Sequence, residues 1–222
     1  KLYSPDEIGD AEPDLVLELP KVWNKVKVHD ELLPPTGYAT FRTTIALPEN
    51  HPGRFALKLK RMKTSYRIFI NGELVVDEGV PGKTENETKA YYKPIVASFF
   101  VPSYERKLNV VIQMANYLYP KGGVDSSIYL GKQVDINQMH HQEVYISSFV
   151  AGALLLMGIY HFGLFLLRRK DKAPIAFGVF CLAFSLRLLS TGPKTLATLF
   201  PNIAIETMLA FEIGSVFIGI SI

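Results

Sequence analysis

Residues 146–167 read ISSFVAGALLLMGIYHFGLFLL, and RRKDK follows at once over 168–172. The first stretch has 22 residues and no Asp, Glu, Lys or Arg. As a helix it is long enough to cross the ~30 Å hydrocarbon layer of a bilayer. A second apolar run over 174–190 is interrupted only by Arg187, and a third over 203–222 contains Glu206 and Glu212. Between them lies a short loop marked by Gly192, Pro193 and Pro201. The sequence therefore predicts spans at about 146–167, 174–190 and 203–222. The chain stops inside the third run, so the expectation is a fragment of a longer protein.

The charge distribution supports this division. Residues 1–145 carry eighteen Lys+Arg and eighteen Asp+Glu, while residues 146–222 carry six and three. Four of those six bases fall within 168–172. The pI of 8.8 thus reflects a cluster flanking a span, and no basic stripe points to nucleic acid as a partner. Basic loops stay on the cytoplasmic side. The region before the first span is then expected outside, in the periplasm of a double-membrane bacterium, with any leader already removed. A single cysteine, Cys181, excludes an intrachain disulfide and a paired-cysteine metal or redox motif.

Upstream of the spans the pattern changes to period two. Residues 1–14 are polar and read as a poorly ordered arm. Apolar and polar residues alternate over 15–19, 38–47, 55–60, 66–70, 73–77, 91–101, 108–114, 127–130 and 133–136, as in half-buried antiparallel strands. Phe41, Thr43, Ile45 and Leu47 share one face, as do Leu108, Val110, Ile112 and Met114. Asn71-Gly72 between two such runs is a hairpin signal, since both residues accept positive φ. About eight strands with no amphipathic helix between them predict a two-sheet β-sandwich of jelly-roll type over 15–137. Residues 138–145 form a juncture without Gly or Pro, suited to continuing the first helix outward.

No nucleophile elbow, Walker sequence or dinucleotide fingerprint is present, so neither catalysis nor a cofactor is expected in this chain. His140 and His141 are adjacent and diverge on a helix or a strand, which suits a solvated juncture better than a shared metal. No dense Asp/Asn cluster suggests calcium. Trp23, Tyr91, Asn116, Tyr117 and Tyr119 are the candidates for ligand contact. Their amphipathic surfaces suit stacking on sugar rings, although such side chains equally fill sandwich cores. Within the spans, His161, Arg187, Glu206 and Glu212 are costly in lipid and should face other helices. Arg187 and Glu206 lie at similar depth on antiparallel neighbours and are expected to pair. Glu212 lies roughly 9 Å deeper and needs another partner. Ser215 and Gly219 are spaced for close helix approach.

The run Tyr160-His161-Phe162-Gly163-Leu164-Phe165-Leu166-Leu167-Arg168-Arg169 resembles the end of the first span in the bacterial seven-transmembrane receptors with diverse intracellular signalling modules. In that family a Tyr-His or Tyr-Asn precedes aliphatic residues and an Arg/Lys-Asp stretch, and the third span often begins with an acidic residue, which Glu206 matches. Trp23, residues 38–47, Phe69-Ile70-Asn71-Gly72, residues 108–116 and Gly122-Gly123 are similar to that family's exported domain, a galactose-binding-like jelly roll. The resemblance implies a receptor in the bacterial inner membrane, with membrane lipid around its helices. Its exported domain would sense a carbohydrate or other small molecule and signal through the helices to a cytoplasmic module, as a homodimer in many receptors of this type. The alternative is an accessory carbohydrate-binding and membrane-anchoring part of a glycan-processing or glycan-exporting enzyme.

Overall fold

A computed structural model describes residues 3–8, 12–28, 30–60, 62, 64–91, 95–193, 195–196, 200, 207, 210 and 214. The chain divides into two units, Lys1–Asn137 and Gln138–Ile222.

The first unit is mostly β. After the short helix α1 (Pro5–Ile8) come β1 (Lys21–Val22), a 3₁₀ turn at Trp23–Lys25, β2 (Lys27–Val28), β3 (Glu31–Leu32), β4 (Gly37–Ala46), β5 (Arg54–Leu59), β6 (Ser65–Ile70), β7 (Glu73–Glu78), β8 (Ile95–Phe100), β9 (Lys107–Asn116), β10 (Gly123–Val124) and β11 (Ile128–Lys132). One sheet has the order β4-β9-β6-β7 and the other β11-β5-β8, with β1-β10 and β2-β3 as small antiparallel pairs. All pairings within the two larger sheets are antiparallel.

The period-two faces meet as the alternation requires. Leu108, Val110, Ile112 and Met114 of β9 and Tyr66, Ile68 and Ile70 of β6 join Phe55, Leu57 and Leu59 of β5 in one buried cluster. Phe41 and Ile45 of β4 pack against it from the sheet edge. The Asn71-Gly72 hairpin closes as expected, with φ of 49° and 87°. Asn71 also exchanges two bonds with Asn109: its N–H donates to the Asn109 carbonyl at 2.9 Å, and its side-chain oxygen accepts from the Asn109 N–H at 2.8 Å. The turn thus pins the register of β9 as well as its own.

Four local expectations are corrected. Residues 15–19 form no strand, and Leu15, Val16 and Leu19 stand exposed; alternation without a neighbouring strand to bond cannot make a sheet. Residues 133–136 are helical, being the first turn of α2 (Gln133–Leu167). Four alternating residues cannot decide between the two periods, and Asp135 in the first turn favours the helix. The Ala56/Lys58 side of β5, polar-facing by alternation, is buried as well. Ile136 lies over this outer face at Gly131, where a β-carbon would already touch its side chain at 3.4 Å. Finally, the N-terminal arm is docked. The Tyr3 N–H donates to Thr40 Oγ1 at 3.0 Å, the Tyr3 carbonyl accepts from Gln113 Nε2 at 2.7 Å, and the Ile8 carbonyl accepts from Arg42 Nη1 at 3.0 Å. Polar side chains on the outer face of β4 and β9 satisfy the arm's backbone. Ser4 and Glu7 close a reciprocal capping box at the start of α1, at 2.9 and 3.2 Å. The backbone and hydroxyl of Ser4 hold the Glu7 carboxyl below its ordinary value of 4.5.

The second unit contains the remainder of α2 and the helix α3 (Ala173–Ser190). Both are long and apolar enough to cross a membrane. α2 ends at Leu167, where the basic turn begins. As the absence of Gly and Pro over 138–145 suggested, the juncture is helical and continuous with the first span.

Candidate functional site

The candidate residues fall in two regions: the loop end of the sandwich around Trp23, and the seam between α2 and α3.

At the sandwich end, β1 pairs with β10 in the register Lys21↔Val124 and Val22↔Gly123. The ladder continues one step further, the Trp23 N–H donating to the Gly122 carbonyl at 2.9 Å. Two glycines make this approach possible. A β-carbon on Gly122 would overlap the Trp23 indole at Cε2, Cζ2 and Nε1. Gly123 has φ +102°, and a β-carbon there would lie 2.9 Å from the Lys21 carbonyl oxygen. The indole is buried, and its Nε1–H donates to the Pro35 carbonyl at 3.2 Å. Asn116, fully buried, donates to the same carbonyl at 2.8 Å and to the Tyr119 carbonyl at 2.9 Å, and accepts from the Tyr119 N–H at 3.1 Å. Trp23, Asn116 and Tyr119 are therefore brought together, and Trp23 and Asn116 act as framework for this end of the sheet.

Tyr117 is half-buried beside them, with its hydroxyl donating to the Lys83 carbonyl. Burial, then Tyr38 and Glu87, push its phenol upward. Lys83 belongs to a loop closed on itself: Val80 and Lys89 bridge at 2.9 and 3.0 Å, the Gly82 N–H donates to Thr88 Oγ1 at 3.2 Å, and the Lys83 N–H donates to Glu87 Oε2 at 3.0 Å. Tyr91, half-buried, is tied through its N–H to the Thr64 carbonyl at 2.7 Å.

Beside Trp23 opens a cleft of about 470 Å³. Its charged lining comes from Lys21, Lys25, Lys121 and Asp125, and Pro20, Val22 and Val124 form apolar wall. Asn24 Nδ2 donates to the Pro120 carbonyl at 3.4 Å, which holds the Trp23–Lys25 turn against the start of the Lys121 segment. Sequence reading passed over these lysines. The available signal was Gly122-Gly123, a pair of residues without side chains that demands a close neighbour.

In the second unit small residues let α2 and α3 approach closely, as in membrane helix pairs generally. A β-carbon on Gly158 would sit 3.0 Å from Leu182 Cδ2 and 3.3 Å from the Gly178 carbonyl oxygen; one on Gly178 would meet the Gly158 carbonyl oxygen and the Phe162 ring, each at 3.3 Å. Hydroxyls cross the same seam: Ser185 Oγ donates to the Ala151 carbonyl at 2.8 Å and Ser147 Oγ to the Leu188 carbonyl at 3.3 Å. His161 sits against α3, its ring centroid 4.5 Å from that of Phe177, while Nδ1 bonds the Met157 carbonyl at 2.9 Å. Arg187 lies in the last turn of α3, where its carbonyl accepts from the Thr191 N–H and hydroxyl. Glu206 and Glu212, and with them the expected pairing to Arg187, lie outside the described residues, as do Ser215 and Gly219. His140 and His141 have ring centroids 6.0 Å apart, and His141 stacks on Tyr145. Among the described residues no three His, Cys, Asp or Glu side chains gather as a metal site.

Solved structures similar to parts of this chain include a putative β-galactosidase from Bacteroides fragilis, at 15% identity and a TM-score of 0.37, covering 51% of this chain and 18% of that one. A β-galacturonidase from Eisenbergiella tayi bound to galacturonate matches at 12% identity and 0.39, covering 52% and 20%. Ruminococcus gnavus β-glucuronidase in complex with uronic isofagomine matches at 13% and 0.43, covering 58% and 26%. The chain thus spans about a quarter or less of those proteins. No curated protein matches it. Residues 143–222, which take in the whole first apolar run, the basic turn, α3 and the third apolar run, match the family model described as 7TM diverse intracellular signalling.

Proposed function

We propose that this chain is the sensing and first membrane-spanning part of a signalling receptor. The β-sandwich lies outside the cytoplasm, binds a small molecule, and biases the packing of the helices toward a cytoplasmic output module. The observation that carries this reading is the match of residues 143–222 to an intracellular-signalling membrane family, in a chain whose preceding residues fold as a β-sandwich. A signal of this kind requires a ligand that binds one state of the receptor better than another. Helices that touch through Gly158, Gly178 and hydroxyl–carbonyl bonds form a packing whose change alters few, well-defined contacts. The four bases within residues 168–172 support a cytoplasmic side for that turn, since cytoplasmic loops carry an excess of Lys and Arg.

The test has two limbs. Thermal unfolding of the detergent-solubilised chain is followed against a panel of sugars, amino acids and metal ions. A ligand held only by the folded state stabilises it by about 2.7 kcal/mol at 100 times its Kd. A saturable rise supports sensing, and a flat response across the panel counts against it. For orientation, Thr84→Cys and Lys170→Cys are each introduced into a Cys181→Ser chain. In whole cells with a permeable outer barrier, a membrane-impermeant maleimide should label position 84 and spare 170; the reverse pattern refutes the topology.

A further inference from the structure

We propose that the cleft beside Trp23 binds a small anion of monosaccharide size carrying one carboxylate or one phosphate. The inference deepens the sensing role and rests on it for biological meaning, though not for the binding itself.

Lys21, Lys25 and Lys121 line one cleft together with a single acidic residue, Asp125. This is a local excess. Residues 1–145 carry equal numbers of basic and acidic side chains, so random placement would leave such a cleft near neutral. None of the three lysines has an ion-pair partner among the described residues. Gathering like charges costs Coulomb energy, and apolar walls such as Pro20, Val22 and Val124 focus the field into the cleft rather than dissipate it. A bound anion relieves that repulsion.

Size and chemistry narrow the class. A volume of about 470 Å³ falls in the range of small-molecule sites and holds a monosaccharide-sized ligand. Lysine supplies a compact charge with three rotatable donors, suited to an oxyanion. The net charge of the lining matches one carboxylate or one phosphate group better than a polyanion. The antiparallel β1–β10 pair and the Asn24–Pro120 bond hold the lysine-bearing segments opposite one another.

The experiment is calorimetric titration of the full chain in detergent with D-glucuronate, D-glucose and inorganic phosphate. Wild type and the variant Lys21→Ala/Lys25→Ala/Lys121→Ala are compared with Lys21→Arg/Lys25→Arg/Lys121→Arg. These side chains are exposed at the cleft rim, and Trp23 emission checks that each variant is folded. Expected is saturable binding of glucuronate or phosphate, at least ~10-fold tighter than glucose. The triple alanine should lose ~10-fold or more, the charge of the triple arginine should restore most of that, and added salt should weaken binding. Preference for glucuronate identifies a carboxylate ligand, and preference for phosphate a phosphorylated one. Absence of saturable binding by either anion overturns the proposal. So does anion binding of wild-type strength in the triple alanine. Glucose binding that survives in the triple alanine without anion preference also overturns it, while leaving the sensing role intact.

Discussion

Replacing Gly122 with alanine adds one methyl group where the Trp23 indole leaves no room for it. The new β-carbon would overlap three atoms of the Trp23 indole, so either β10 withdraws or the ring leaves its seat. Gly122 does not adopt the left-handed backbone region, so alanine is conformationally acceptable there and the penalty is steric alone. Overpacking a core by a methyl costs ~1–3 kcal/mol. Full loss of a buried tryptophan costs ~3–5 kcal/mol. The expected destabilisation lies between these, at about 2–4 kcal/mol. For a unit of this size each kcal/mol corresponds to roughly 3–4 °C, giving a fall in Tm of roughly 6–16 °C. The assay is convenient because Trp23 is the one tryptophan in the chain. Its emission reports on the first unit during thermal unfolding of the whole protein. The folded variant should also emit further to the red, its ring being partly expelled. Gly72→Ala is the control: φ is +87° and nothing lies within 4 Å of the added atom. It should cost only the left-handed strain of about 1–2 kcal/mol and leave the emission maximum unchanged. A Gly122→Ala protein that melts within about 2 °C of wild type with unshifted emission would falsify the seating of the indole on the Gly122 backbone.

Asn116→Ala removes three hydrogen bonds from a fully buried side chain and leaves the Tyr119 N–H short of an acceptor; a loss of at least ~1–3 kcal/mol should appear in the same melt, with a smaller shift in emission than Gly122→Ala. Gly178→Leu forces bulk against the Gly158 carbonyl and Phe162, so disulfide cross-linking between cysteines introduced at 151 and 185 should drop sharply, and undiminished cross-linking argues against the seam. Glu7 titrates below its ordinary 4.5 because Ser4 bonds its ionised form. The sign follows: the capping box contributes above that ordinary value and is lost as pH falls through the lowered one. Hydrogen-exchange protection factors at residues 4–8, corrected for the intrinsic pH dependence of exchange, should therefore fall below about pH 4.5, and Glu7→Gln should flatten that fall. Protection in the arm that does not change with pH would contradict the capping geometry.

Much of this protein was legible in local pattern. The long apolar helices α2 and α3 follow from composition, because a run of 22 residues without a formal charge is long enough as a helix to cross a bilayer. Strands β4, β6, β7 and β9 follow from alternation, since each pleat turns one apolar face to the core; β5 alternates in type as well, although packing buries both of its faces. The Asn71-Gly72 turn follows from the positive φ that both residues tolerate. Local pattern failed where partners decide. Residues 15–19 alternate but find no strand to bond, and residues 133–136 alternate too briefly to resist becoming the first turn of a long helix. The polar arm looked free because polar residues advertise nothing about where their backbone will be satisfied; Thr40, Arg42 and Gln113 supply those partners from distant strands.

The same division governs the candidate site. Trp23, Asn116 and Tyr119 stood out by residue type, and type alone said nothing of whether they face a ligand or hold the frame. The burial of the first two, and their shared bond to Pro35, came from packing. The lysine-lined cleft had no sequence signature beyond the bare pair Gly122-Gly123. Lys21 and Lys121 are far apart in the chain, and strands of two residues carry no periodicity to announce their pairing. What sequence determined by itself were the features set by short-range physics: helix length against bilayer thickness, alternation, and turn φ. What tertiary structure alone decided was which distant side chains came to share one space, because that depends on long-range strand pairing and on the bare backbone of Gly122 and Gly123 that allows it.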